Sequence, residues 1–209
     1  MKMLLQAVLF DFDGTLTEPG ILDFQAIRKA LKCPPELLIL EYIEQLTDVE
    51  KHSQAIRILE SFETNAAEHC RANEGAEEII PFLKSESLKL GIITRNSLRS
   101  VLMALKSFRY VNESDFNVII TRDNSVKPKP DPGGILMAAD RMHVSANQIL
   151  VVGDYRFDVE AGHRAGTRTV FLDNRKTTQY PEPPADFTIH HLNELKNIIF
   201  KLHEKSVPT

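Results

Sequence analysis

Five short apolar runs limit what this chain can fold into more than any other feature. They are "QAVLFDF" (6–12), "LKLGIIT" (88–94), "FNVIIT" (116–121), "QILVVGD" (148–154) and "TRTVFL" (167–172). A strand with one wet face alternates polar and apolar residues. A nearly continuous apolar run belongs to a strand covered on both faces. Segments with helical periodicity separate the later runs: "GAEEIIPFLKSE", "SLRSVLMALKSF", "DPGGILMAADRMHV" and "DVEAGHRAG". Ser97 is placed to cap the second of these, and Pro81 in the first is tolerable only near the first turns of a helix. "HLNELKNIIFKLHEK" closes the chain as an amphipathic helix, after a Pro-rich loop and a last short strand, "FTI". The alternation predicts an α/β fold: a Rossmann-like, mainly parallel sheet with helices on both faces.

One section breaks the alternation. Between about residues 18 and 73, "DFQAIRKALKC", "PPELLILEYIEQL" and "DVEKHSQAIRILESFETNAAEHCRA" have helical patterning, and no strand is evident. This is read as a small helical domain, 18–73, inserted directly after the first strand. Residues 1–17 and 74–209 then form the α/β core. A length of 209 residues suits one domain plus such an insertion.

Composition excludes several classes. A net charge of -4 argues against a broad basic surface for nucleic acid. Cys33 and Cys70 form no CxxC pair or metal-ligand pattern, so a reducing compartment, the cytoplasm, is expected. No stretch is long and apolar enough to span a bilayer, so no membrane partner is expected. The opening segment, with Lys2 before an apolar stretch, is broken by Gln6 and ended by Asp11. It reads as a strand, not a leader.

In open parallel sheets, ligands bind beyond the carboxyl ends of the strands. There the sequence places Asp11 and Asp13 after the first strand, and Thr94, Arg95 and Asn96 after the second. The third strand leads through "TRDNSV" into "KPKPDP", with Lys127 first. Asp154 and Asp158 follow the fourth. Carboxylates clustered in this way are tolerable beside a divalent cation, and hard oxygen ligands suit Mg²⁺.

These residues, in this order, resemble the haloacid dehalogenase-like (HAD) superfamily. "DFDGTLT" matches its first motif, DxDGT(L/V)T, and Thr94 the second. Lys127 in the KPxPxP frame matches the third. "GDYRFD" matches the fourth, GDxxxD, with "AGHRAG" after it as in many relatives. The likeness runs from about Ala7 to Leu172, interrupted by the insertion. It is nearest to the phosphoglycolate phosphatase-like group, in which a helical cap follows the first strand.

The resemblance implies a Mg²⁺-dependent phosphatase acting on a small phosphorylated metabolite. Asp11 would be the nucleophile and form an aspartyl-phosphate. Asp13 would serve as general acid, then base. Asp11, the Asp13 carbonyl, Asp154 and Asp158 would hold Mg²⁺. Thr94 and Lys127 would bind phosphoryl oxygens, Lys127 would also steady Asp11, and backbone amides near Asp13 and Gly14 would complete the phosphate cradle. Asn96 is a further substrate-binding candidate.

Plainer readings stand beside these. Asp158 can be a helix N-cap, Thr94 a turn-capping hydroxyl, Lys127 a solvated loop lysine. Arg95 departs from the family pattern, in which asparagine follows the threonine. It either meets a second anionic group on the substrate or pairs with an acid of the cap or a loop.

Two rival functions share the scaffold: a phosphomutase of the β-phosphoglucomutase type, and a catalytically weak phosphate-binding or regulatory protein. Dehalogenases and phosphonate-cleaving relatives resemble the chain less, because they lack an aspartate at the position of Asp13. Which ester is the substrate is open, from phosphoglycolate to sugar phosphates and nucleoside monophosphates. Oligomeric state is not legible, and a monomer is compatible with everything above.

Overall fold

The first strand, β1 (Ala7–Phe10), is buried along its whole length and sits in the middle of a six-stranded sheet. The computed structural model describes residues 4–174 and 180–204. Lys2 and Lys205 lie outside that range. The insertion follows β1 as α1 (Phe24–Leu31), α2 (Ile39–Glu44) and α3 (Val49–His69). The chain then alternates through α4 (Ala76–Ser85), β2 (Lys89–Ile93), α5 (Leu98–Leu105), β3 (Val118–Ile120), α6 (Gly133–Met142), β4 (Ile149–Gly153), α7 (Arg156–Ala165) and β5 (Arg168–Leu172). It ends with β6 (Phe187–Ile189) and α8 (Leu195–Glu204).

All neighbouring strands are parallel, in the order β3-β2-β1-β4-β5-β6. The α/β expectation is met. Successive residues of β1 face opposite ways, as a pleated strand requires. Val8 and Phe10 join one apolar cluster, with Ile79, Val101 and Ile199 of α4, α5 and α8. Ala7 and Leu9 join the other, with Ile135 and Ala161 of α6 and α7. Both faces are dry, which is why the runs do not alternate.

The topology also fixes where a ligand can sit. From β1 the sheet grows one way through β2 and β3, and from β4 the other way through β5 and β6. The crevice of such a sheet opens where the winding reverses, at the carboxyl ends of β1 and β4. Phe10 pairs with Ile92 on one side and Val152 on the other. The residues that follow, Asp11, Ile93 and Gly153, are therefore level with one another, the last two closing β2 and β4.

The inserted helices have an apolar cluster of their own, including Ile27, Leu40, Ile43, Ala55 and Leu59. Helix α3, about 30 Å long by its rise per residue, also reaches the core: Ala67, on its last turn, belongs to the sheet's cluster. Asp23 and Asp48 cap α1 and α3, each accepting two backbone N–H bonds.

Three local expectations are corrected. Pro81 lies in the interior of α4, on its exposed face, where water can take the bond its missing N–H leaves open. Helix α2 covers only six of the thirteen residues patterned for it. Helix α7 begins two residues before Asp158, so Asp158 is not its N-cap; its carboxylate reaches back to the Tyr155 N–H at 3.0 Å. Among the described residues, no helix is long and apolar enough to cross a membrane.

Ile92 is fully buried between β1 and β3. Ile92→Ala should cost about 2–5 kcal/mol, read as a lowered urea midpoint with an unchanged slope.

Candidate active site

The turn after β1 separates its two acids by burying what lies between them. Phe12 packs into the core, and its carbonyl gathers the N–H groups of Thr15, Leu16 and Thr17 at 3.3, 2.9 and 3.0 Å. Gly14 adopts φ 77°, a left-handed conformation that favours glycine. The Gly14 carbonyl accepts from Asn174 Nδ2 at 2.8 Å, and that of Thr15 from Asn73 Nδ2 at 3.0 Å. Asp11, whose N–H donates to Val152 O at 2.8 Å, is thereby fixed beside β4.

The main correction to the sequence reading concerns the lysine. Lys127 is exposed. Lys129, only 6% exposed, is the residue that reaches Asp11. Its Nζ donates to Asp11 Oδ1 at 2.5 Å, Asp158 Oδ1 at 2.6 Å and Ile93 O at 2.8 Å. An ammonium has three donors, and all three are used. The sequence contains two overlapping K-P-x-P frames, 127–130 and 129–132, and the second carries the lysine that turns inward. Counting back from α6 would have separated them, because only the second frame runs directly into that helix.

Asp11, Asp154 and Asp158 each offer an oxygen within 4.8 Å of the others. Asp158 is 2% exposed. It packs so closely on Gly153 that a Cβ there would lie 2.2 Å from its carboxyl carbon. Three carboxylates so arranged are the hard donor set that Mg²⁺ takes, so the residues fit that ion. Lys129 already offsets part of their charge.

Electrostatics separates the acids. Burial, reinforced by the charges of Asp11 and Glu63, pushes the Asp13 carboxyl up to about 7, against the pull of an Asn96 hydrogen bond and Lys129. Burial likewise raises Asp158 to about 6, with Asp11 adding to it and Lys129 opposing. Burial by itself would lower the Lys129 ammonium, but Asp11 and Asp158 outweigh it and hold it above its usual range.

Thr94 is buried, and its N–H donates to Ile120 O at 3.0 Å. Its Oγ1 accepts from the Asn96 N–H at 3.1 Å, which leaves the hydroxyl proton for another acceptor. Arg95 takes the second of its two readings. Its Nη2 meets Glu41 Oε2 of α2 at 2.6 Å and its Nη1 donates to the Lys129 carbonyl. Two buried charges, Glu63 and Arg122, were missed from sequence and are ion-paired beside the Thr94–Ser97 turn. A signal for Glu63 was available: it stands on the i, i+4 stripe of Ala55, Leu59 and Ala67, a lone charge among buried apolar positions.

Comparison with known proteins agrees with this geometry. The model of the family described as haloacid dehalogenase-like hydrolase matches residues 8–172. A haloacid dehalogenase-like hydrolase domain-containing protein of Arabidopsis thaliana is 30% identical, covering 95% of this chain and 85% of its own. An N-acetylmuramic acid 6-phosphate phosphatase of Pseudomonas aeruginosa is 27% identical over 95% of this chain and 96% of its own. Among solved structures, a hydrolase from Pseudomonas syringae superimposes with a TM-score of 0.74 at 24% identity, covering 94% of this chain and 98% of that one.

Removing Lys129 leaves Asp11 and Asp158 buried without their cation. In EDTA, Lys129→Met should lose about 3–5 kcal/mol of stability, whereas Lys127→Met should stay within about 0.5 kcal/mol of the parent; urea titrations read both. The raised carboxyls give a pH signature. Folded Asp13 holds its proton up to about 7, while unfolded aspartate releases it near 3.8. Folding therefore takes up a proton between those values, and the metal-free protein loses stability as pH rises through that window. Asp13→Asn removes this loss. In EDTA the variant should be the more stable protein above about pH 7, with the difference shrinking toward the acid end of the window.

Proposed function

The chain belongs to the haloacid dehalogenase-like hydrolase family, and from that premise we propose that it hydrolyses a small phosphate monoester through an aspartyl-phosphate. The observation that carries this reading is Asp11 itself: a carboxylate at the winding reversal of the sheet, held by a buried lysine, with a second, raised carboxyl two residues on.

In this reading an Asp11 oxygen attacks phosphorus in line with the ester oxygen. The new Asp11 O–P bond forms as the ester P–O bond breaks, and Asp13 gives its proton to the departing alkoxide. A carboxyl raised to about 7 still carries that proton near neutrality. Asp13, now a carboxylate, then takes a proton from water as the water oxygen attacks phosphorus. The Asp11 O–P bond breaks and inorganic phosphate leaves. Lys129 takes the role that the sequence reading gave to Lys127. It holds Asp11 in place, and with the Thr94 hydroxyl it balances charge on the phosphoryl oxygens. Backbone N–H groups near Asp13 and Gly14 complete the cradle around the same oxygens. Asp11, Asp154, Asp158 and the Asp13 carbonyl would hold Mg²⁺, which when bound offsets the repulsion between the carboxylates and the phosphoryl group. Positioning and electrostatics do most of the work in phosphoryl transfer.

We assign residues 18–73 to a cap that covers the site and excludes bulk water. Its size favours a small phosphorylated metabolite. The phosphatase named for N-acetylmuramic acid 6-phosphate adds an amino-sugar phosphate to the candidates, beside phosphoglycolate, other sugar phosphates and nucleoside monophosphates.

The test is inorganic phosphate released from a panel of such esters, with Mg²⁺ or EDTA. Release should require Mg²⁺, vanish in Asp11→Asn, and fall on the order of 10²–10⁴-fold in Asp13→Asn. No release from folded protein on the whole panel would sink the general phosphatase reading. Isomerisation of a sugar phosphate, dependent on a bisphosphate primer and with little free phosphate, would replace it with the mutase.

A further inference from the structure

Glu63 and Arg122 are buried, charged and unused by the reaction above. Glu63 is 3% exposed, in the last third of α3. Its Oε1 accepts from Arg122 Nη1. Its Oε2 accepts from Ser100 Oγ at 3.1 Å, Ser97 Oγ at 3.2 Å and the Ser97 N–H at 3.4 Å. Arg122 comes from the segment after β3, and its second guanidinium nitrogen, Nη2, is buried without a protein partner.

The pair encloses one turn of backbone. Glu63 grips residue 97. Arg122 grips residues 95 and 96, through Nη1 to the Arg95 carbonyl at 3.5 Å and its own N–H to the Asn96 carbonyl at 3.1 Å. Asn96 is thus clamped on both sides, and its side-chain amide faces the Asp13 carboxyl, whose pKa it draws down. Stability alone is a poor account of such a pair. Two buried charges repay their desolvation only with good geometry, and well-packed apolar residues often do as well. The plain alternative is a carboxylate serving the N-terminus of α5.

We propose that Glu63 and Arg122 are positioning residues for Asp13: they fix the 95–97 turn so that Asn96 holds the Asp13 carboxyl toward the leaving oxygen. The inference rests on the reading of Asp13 as the acid. It makes a helix of the insertion part of the machinery that aims the proton.

The experiment uses the full chain with Mg²⁺ and compares kcat/KM for two substrates. One is p-nitrophenyl phosphate, whose leaving group departs without a proton. The other is the alkyl phosphate turned over best, whose leaving group needs one. Loss of a well-aimed acid lowers the second far more than the first. Loss of fold or of phosphate binding lowers both alike. Asp13→Asn sets the scale of this split. Glu63→Gln and Arg122→Lys should each lower the alkyl value at least about tenfold more than the aryl value, short of the roughly 10²–10⁴-fold expected of a lost acid. Arg122→Lys keeps the charge but shortens the side chain, withdrawing the one nitrogen, Nη1, that reaches both Glu63 and Arg95. Because the pair acts through Asn96, adding Glu63→Gln to Asn96→Ala should widen the split no further. If Asp13→Asn splits the substrates and the Glu63 and Arg122 variants do not, Glu63 serves α5 alone and the inference is overturned. If Asp13→Asn itself shows no split, the assignment of the acid falls, and the inference falls with it.

Discussion

Everything at the head of this sheet is arranged around one ammonium. Lys129 spends its three donors on Asp11, Asp158 and the carbonyl that ends β2. Without it, three carboxylates whose oxygens lie within 4.8 Å would repel one another across a site shielded from water. With it, the ends of β1, β2 and α7 are drawn to one point. The cost of burying the cation is met because each of its protons has an acceptor.

The parallel topology supplies the point to which they are drawn. The register that pairs Phe10 with both Ile92 and Val152 delivers Asp11, Thr94 and Asp154 to one edge without any long-range search by the loops. Phe12 then acts as a peg. Sunk in the core between two aspartates, it lets the turn present both acids on the open side while their environments diverge. Asp13 lies where burial dominates, and Asp11 is beside the lysine. Two identical side chains two residues apart can therefore take different tasks.

Most of this was legible in the sequence, and the exceptions have physical causes. The apolar runs declare a buried sheet because water on neither face is a strong compositional constraint. Asp11, Asp13, Thr94 and Asp154 declare themselves because each stands at the end of a run, and Asp158 by its spacing four residues beyond Asp154. Lys127 and Lys129 could not be told apart by composition. Both precede a proline, and only the start of α6 decides which one turns inward. Arg95 was ambiguous because its partner, Glu41, lies far along the chain in a helix whose facing no local pattern reveals. Glu63 was readable as an anomaly but not as a partner of Arg122, since the meeting of α3 with the β3 loop is set by tertiary packing.

Among the described residues, two ion pairs of unequal strength join the insertion to the core. Arg95–Glu41 is partly exposed, with 23% and 32% of the two side chains accessible. Water and salt screen such a pair, and its worth is about 0–1 kcal/mol. Glu63–Arg122 is buried at 2% and 10%. Breaking it strands charges away from water, at a cost of about 3–5 kcal/mol. The packing follows the same order, since Ala67 of α3 sits in the core's own cluster while α1 and α2 pack chiefly on α3. Of the two contacts, Arg95–Glu41 is the less costly to open. The residues that fix Asn96 therefore belong to the better-anchored side of the insertion, where α3 meets the core.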